Sequence, residues 1–404
     1  MIEQAPVANS KTFDAAVVGV GPMGLTTGLL LARNGFSVAV IGPDISSTET
    51  RTTALLQGTV NLLSNIGVWD GLSEASEPLA VMRIIDDTKR LIRAPEVAFR
   101  AEEIGNDAFG YNVPVAHLID VLRRTAQANE RLTLIDGTVD TLDDNGETVR
   151  IALASGALVE ARVAIGADGR NSVCRAAARI GVNEQAYPQS ALALNLRHTR
   201  PHDNVSTEFH RENGPMVLVP LPGLHSSIVL VDNPDRIAAL LDMPDEALGA
   251  EITRLSHGIL GKITVDGPSR GYPLVRMTAK ELAKGRIALV GEAAHVMPPI
   301  GAQGLNLGIR DAAVLAEKLS TPDTVRNDAD RALSAYQRAR RTDIGTRIAA
   351  VDLLNRSLLS GFLGLQGARA LGLYAIKGVG PLRRLMMREG MEPSLASASI
   401  LRAP

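Results

Sequence analysis

The stretch Gly19-Val20-Gly21-Pro22-Met23-Gly24 constrains the fold of this chain more than any other. It follows a short apolar run rich in β-branched residues, Phe13 to Val20. It leads into a helical pattern through Arg33, which Asn34-Gly35 ends before a second strand from Phe36 to Ile41. Strand, glycine turn, helix and strand in that order predict a βαβ unit that binds a dinucleotide. The glycines at 19, 21 and 24 serve a tight turn, close approach of a pyrophosphate to the backbone, and close packing of helix on strand. Gly28, one turn further on, lets the helix sit still nearer the sheet. The acid expected at the end of the second strand, where it would hold the adenosine ribose, is missing. Gly42 stands there, and Asp44 follows after Pro43. Asp44 is either a ribose contact from the next turn or a plain loop residue, and the fingerprint alone does not separate NAD from FAD.

Arg51 to Leu55 opens a segment with apolar residues at Leu55, Val60, Leu62, Leu63 and Ile66, which predicts a helix closed by Gly67. Arg51 at its start is either a phosphate partner or a surface arginine. Met82 to Phe99 reads as strands, Leu118 to Ala128 as a helix, and Asp143-Asp144-Asn145-Gly146 as a hairpin turn. A strand from Leu158 to Ile165 delivers Gly166-Ala167-Asp168-Gly169-Arg170-Asn171-Ser172 into a helix. Asp168 thus lies at the carboxyl end of a strand, where open α/β sheets place ligand contacts. It could also cap the following helix, and the two roles can coexist. From about Ala191 to Leu274 short strands predominate, with helical pieces at Asp235 to Leu241 and Asp245 to Ser256. They suggest a second layer carrying substrate specificity.

Arg286 to Asp311, RIALVGEAAHVMPPIGAQGLNLGIRD, reads as a buried strand, a glycine-punctuated loop and a helix opening near Gly304. Backbone N–H groups converge at such a helix start and suit an anion or an electron-rich ring edge. Composition narrows the partners. Net charge is −2, and no basic block interleaved with aromatics occurs, which argues against nucleic acid. The single cysteine, Cys174, leaves no internal disulfide and no cysteine-rich metal site, so no metal is expected and a reducing cytoplasm is. The first residues lack the apolar core of a signal peptide, and no run of about 18 apolar residues predicts a membrane span.

With GVGPMG, GADGRNS and the late motif in that order, the chain resembles the single-component FAD-dependent aromatic hydroxylases, in particular the ubiquinone-biosynthesis hydroxylase family. RTTALLQGTVNLLSNIGVW, FGYNVP and YQRARRTDIGTRIAAVDLLNRSLLS extend the likeness over residues 13 to 390. The resemblance implies an α/β fold: a Rossmann-like FAD-binding domain in three parts, 13–80, 116–185 and 279–325. Strands at 81–115 and a β-sheet at 186–278 would form the substrate domain, followed by a helical region at 326–404. It also implies that Gly19, Gly21, Gly24 and Arg51 hold the FAD pyrophosphate, with Asp168 near it. The late motif, through Glu292, Gly301, Gly304, Leu305 and Asn306, would hold the ribityl chain and flavin ring, and Pro299 would lie at the flavin and substrate face. His295 is either near the flavin as a hydrogen-bonding or proton-relay group, or a structural tie within the loop.

The family's chemistry would be hydroxylation of a polyprenylated phenol with O₂ through a flavin C4a-hydroperoxide, NAD(P)H serving as a transient reductant. Three departures stand out: Glu292 where aspartate is usual, Gly42 in place of the ribose acid, and Ala116 in place of an arginine. They keep open the reading of a non-catalytic flavin-fold scaffold subunit of a biosynthetic complex, and hydroxylation of a small soluble aromatic is a separate alternative. Gly361 to Glu389 carries five basic residues and one acid among apolar ones, a pattern suited either to peripheral contact with the inner membrane or complex partners, or to helices packed on the flavin domain with basic outer faces.

Overall fold

The computed structural model describes residues 12–43, 51–88, 94–299, 301–359, 380–391 and 398–402. Thr12–Val18 is buried in every residue after Thr12. It lies in parallel between Val38–Gly42 and Leu158–Gly166. Leu132–Asp136 extends the parallel sheet on one side and Ile287–Leu289 on the other. Burial on both faces explains why Val38–Gly42 and Ile287–Leu289 are continuous apolar runs without alternation. Because all five run the same way, their carboxyl ends share one edge. The three motifs read from the sequence follow three adjacent strands of that sheet. The hairpin Val139–Asp144 and Val149–Leu153 is added to Leu158–Gly166, and its turn is closed by Gly146 N–H on Asp144 Oδ1 (2.9 Å).

A second sheet of eight strands runs in the order His295–Val296, Ile263–Ala279, Val182–His198, His225–Asp232, Gly214–Leu221, Val205–Arg211, Val81–Asp86, Val97–Arg100. Alternate residues Leu192, Leu194 and Leu196 bury against Ile237 and Leu240 of the helix Pro234–Leu241, and against Leu248, Ile252 and Leu255 of the helix Asp245–Leu255. That side of the sheet is a closed core. The late motif is the thread between the two sheets, because Ile287–Leu289 belongs to the first and His295–Val296 pairs with Met277 and Thr278 of the second.

The structure differs from the sequence reading after Arg51. Thr52–Leu56 is a strand, paired with Gly110–Pro114, which in turn pairs with Glu77–Pro78 in a small third sheet; the helix is Gln57–Asn65. Gly110–Pro114 therefore stands apart from the substrate sheet expected for it. The partner strand lies more than fifty residues away, so local apolar spacing could not reveal it, although β-branched Thr52 and Thr53 suit a strand. C-terminal to the late motif come the helices Gln303–Leu319 and Pro322–Leu359, the latter broken at Asp328 (φ −157°, ψ 57°), and then Gly380–Met391.

Candidate active site

The glycine turn is packed as its spacing requires. A Cβ on Gly24 would lie 1.7 Å from the Gly19 carbonyl oxygen, and one on Gly19, whose φ is +119°, would lie 2.3 Å from the Ala167 carbonyl oxygen. Gly21 is different, since nothing lies within 4 Å of its Cβ position. The close contacts seat the helix Pro22–Arg33 on the sheet, and the open side of Gly21 at its N-cap leaves the approach that a pyrophosphate needs. The Gly19 contact also sets the first motif directly against Gly166-Ala167-Asp168.

Asp168 divides its carboxylate between two environments. Oδ2 accepts the Cys174 N–H (3.1 Å) in the first turn of Val173–Ala177, while Ser172 Oγ caps the same helix through Arg175 N–H (2.9 Å). Oδ1 is buried with no hydrogen-bond partner among the described residues. An orphaned carboxylate oxygen is costly to bury and marks a place where a ligand donor is expected. Burial, with the Asp168 charge beside it, pushes the Cys174 thiol up, so this cysteine is inert. Arg175, which the sequence reading passed over, donates to the Ala293 carbonyl (2.9 Å) and the Arg170 carbonyl (2.7 Å), tying the middle motif to the late one.

Met23 ties the first motif to the late one. Its side chain occupies the space that a Cβ would claim on Gly291 (3.0 Å to Cγ) or Gly308 (2.8 Å to Sδ). The late loop runs through Gly291 (φ +60°), exposed Glu292 and exposed Pro299 to Gly301 (φ +64°) and Ala302 (φ +53°), and the helix begins at Gln303. First-turn N–H groups, those of Gln303, Gly304 and Leu305, have no acceptor within the helix. The Asn306 side chain is fully engaged. Its Oδ1 accepts from Leu56 N–H (2.9 Å) and Thr59 Oγ1 (2.7 Å), and its Nδ2 donates to the carbonyls of Ala54 (2.8 Å) and Ala302 (2.6 Å).

His295 is 2% exposed, and its Nε2 lies 2.6 Å from Asp311 Oδ2, which also accepts the Gly291 N–H (3.1 Å). Asp311 Oδ1 accepts from Arg340 Nε (2.7 Å), and Arg340 continues to Asp343 Oδ2 (2.6 Å). Burial alone would raise the Asp311 carboxyl, but His295 and Arg340 together hold it below the usual carboxylate range. Arg347 joins Asp343 Oδ1 (3.0 Å) to the Gln303 side chain (2.7 Å) at the start of the late-motif helix. Tyr336 donates its hydroxyl to the Leu289 carbonyl (2.7 Å). The long C-terminal helix thus braces the loop from beneath, a role that no local motif in the sequence announced.

Arg51 is exposed, and its carbonyl accepts the Val115 N–H (2.9 Å). Ala116 lies in the first turn of Val115–Gln127, and Asp44 lies outside the described residues. Among the described residues no cluster of ligating side chains could hold a metal.

The family described as an FAD binding domain matches residues 12–351. A ubiquinone hydroxylase, UbiL, of Rhodospirillum rubrum is 34% identical over 96% of this chain and 91% of its own length. The chain belongs to the FAD-dependent ubiquinone hydroxylase family. A 3-demethoxyubiquinol 3-hydroxylase of Escherichia coli is 31% identical over 93% of this chain and 97% of its own. Among solved structures, a p-nitrophenol 4-monooxygenase of Pseudomonas putida superposes with a TM-score of 0.77 at 18% identity, covering 94% and 97% of the two chains, which establishes the shared fold. FAD is the family's cofactor, and the open face of Gly21 and the orphaned Asp168 Oδ1 both fit it. The enzyme is an FAD-dependent aromatic monooxygenase.

Proposed function

We propose that this enzyme hydroxylates the aromatic ring of a polyprenylated phenol in ubiquinone biosynthesis, using O₂ with NAD(P)H as the reductant. The observation that carries the reading is the near end-to-end likeness to two hydroxylases named for ubiquinone chemistry, one of them at 34% identity. Bound FAD supplies the redox chemistry that activates O₂. Gly19, Gly21, Gly24 and Arg51 bind its pyrophosphate. Asp168 and Glu292 accept from its hydroxyls, and the N–H groups at Gly304 and Leu305 stabilise negative charge at the ring edge. Pro299 and Gly301 form the wall between flavin and substrate, where exclusion of water protects the reactive oxygen.

His295 acts as a positioning residue in this reading, because its ring is 2% exposed and its Nε2 is bonded to Asp311 beneath the loop. Asn306 likewise fixes the helix start with its side chain.

The enzyme is proposed to work at the cytoplasmic face of the inner membrane, in peripheral contact with it or with complex partners. No helix among the described residues is long and apolar enough to cross a membrane. A lipid-soluble substrate must then be met at the surface. Lipid extracts of a strain lacking this gene test the function. Accumulation of a quinone precursor short of one or more ring hydroxyls is expected, and a normal quinone profile would overturn the proposal.

A further inference from the structure

We propose that Asp136 is the acid that holds the adenosine ribose of the bound FAD, in place of the residue missing at Gly42. The inference rests on the family's cofactor and not on the choice of substrate. An acid at the end of the second strand cannot simply be restored here. A Cβ on Gly42 would lie 3.0 Å from both Cγ atoms of Val20 and 3.1 Å from Val20 N. Those contacts are tighter than ordinary packing, so any side chain at position 42 would require Val20 to shift.

The next strand supplies one instead. Leu132–Asp136 runs parallel to Val38–Gly42, with Gly42 and Asp136 as register partners. Register partners on adjacent parallel strands project to the same face, about 4.8 Å apart. Asp136 therefore presents its carboxylate toward the same side of the sheet as the missing acid, one strand further out. It stands at the carboxyl edge, where the adenosine half of a dinucleotide lies over the strand ends. The backbone is joined at this level, since Gly137 N–H donates to the Gly42 carbonyl (3.3 Å). Asp136 is also exposed at this edge of the sheet. A carboxylate there can accept one or both ribose hydroxyl protons without any change in the glycine turn.

The test is titration of the deflavinated protein, read by quenching of flavin fluorescence. Asp136→Ala is expected to weaken FAD about tenfold, the size of one charge-assisted hydrogen bond, and to leave affinity for FMN, which has no adenosine, unchanged. FAD lacking the adenosine 2′-hydroxyl should bind the wild type more weakly than FAD does, and should bind Asp136→Ala with little further loss. Adding Val20→Ala and Gly42→Glu to Asp136→Ala should recover much of the FAD affinity. Unchanged FAD binding by Asp136→Ala, or equal loss of FAD and FMN, would overturn the assignment. Failure of the wild type to take up FAD at all would overturn the cofactor reading and this role with it.

Discussion

Ala302 adopts a left-handed conformation (φ +53°, ψ 31°) immediately before the helix Gln303–Leu319, whose start is proposed to meet the flavin edge. For a residue with a Cβ this costs about 1 kcal/mol, so something must hold it. Asn306 does so, through its bond to the Ala302 carbonyl and three bonds to the segment Ala54–Thr59. Asn306→Ala leaves several buried groups unsatisfied and should cost about 2–4 kcal/mol of stability, with weaker FAD binding as the helix start loosens. Ala302→Gly relieves the strain and should add about 0.5–1 kcal/mol. Urea denaturation of the holoenzyme measures both, and an Asn306→Ala variant as stable as the parent would show that this strut is unnecessary. The residue scale is also where the sequence is least legible. The late motif draws attention to the Asn306 backbone, while the task of its side chain depends on residues some 250 positions earlier.

At the scale of elements, the late loop and its helix rest on Pro322–Leu359 through a buried cluster. Arg310, Arg340 and Arg347 meet Asp311 and Asp343, three positive charges against two negative ones. The excess falls on Arg310. Burial, then the neighbouring Arg347, push its guanidinium down to about 9, and its Nε has no partner among the described residues. Removing one member of a well-paired buried set exposes the remaining charge to an apolar interior, whereas removing a poorly paired one relieves it. Arg340→Met should therefore destabilise by about 3–5 kcal/mol, and Arg310→Met should be neutral or stabilise by about 1 kcal/mol. The pH dependence follows from Asp311, whose carboxyl is held below its ordinary value of 3.8 in the folded protein. Its contribution is complete above that value and is lost as pH falls through the lower folded value. Without Arg340 the folded value rises, so acid unfolding followed by circular dichroism should begin at higher pH. The strands, glycine turns and their order are readable because they depend on local spacing. This cluster is not, because its members come from two separate helices and look like ordinary surface charges in the sequence.

At the scale of the whole molecule, the question is how a chain with net charge −2 and no spanning helix among its described residues would meet the polyprenylated phenol proposed as its substrate. The helix Gly380–Met391 offers an answer in its two faces. Inward, Arg383 pairs with Glu103 (2.6 and 2.7 Å), donates to the Ala98 carbonyl and lies 4.8 Å from the Phe99 ring centroid, while Met387 is buried. Arg383 is thus committed to the edge of the second eight-stranded sheet, at Val97–Arg100, and is unavailable to a membrane. Outward, Leu385 (57% exposed) and Met386 (48% exposed) lie beside exposed Arg384 and Arg388. The part of the basic stretch that precedes this helix, residues 361–379, lies outside the described residues. The described helix alone brings two cations and two apolar side chains to one surface, enough for weak contact with an anionic bilayer at about 1 kcal/mol per basic residue. The same helix is wired to the start of the late-motif helix, because Arg347 contacts both the Glu389 carbonyl (3.4 Å) and the Gln303 side chain (2.7 Å). Docking there would hold the lipid surface next to the second sheet, which is proposed to carry the substrate. The holoenzyme should therefore co-sediment with vesicles containing anionic lipid and lose that binding as salt screens the arginines. Arg384→Glu with Arg388→Glu should weaken it about tenfold or more, while FAD content and turnover of a short-chain, water-soluble phenol stay as in the parent. Equal sedimentation of parent and variant, or binding indifferent to salt, would place the contact elsewhere on the molecule.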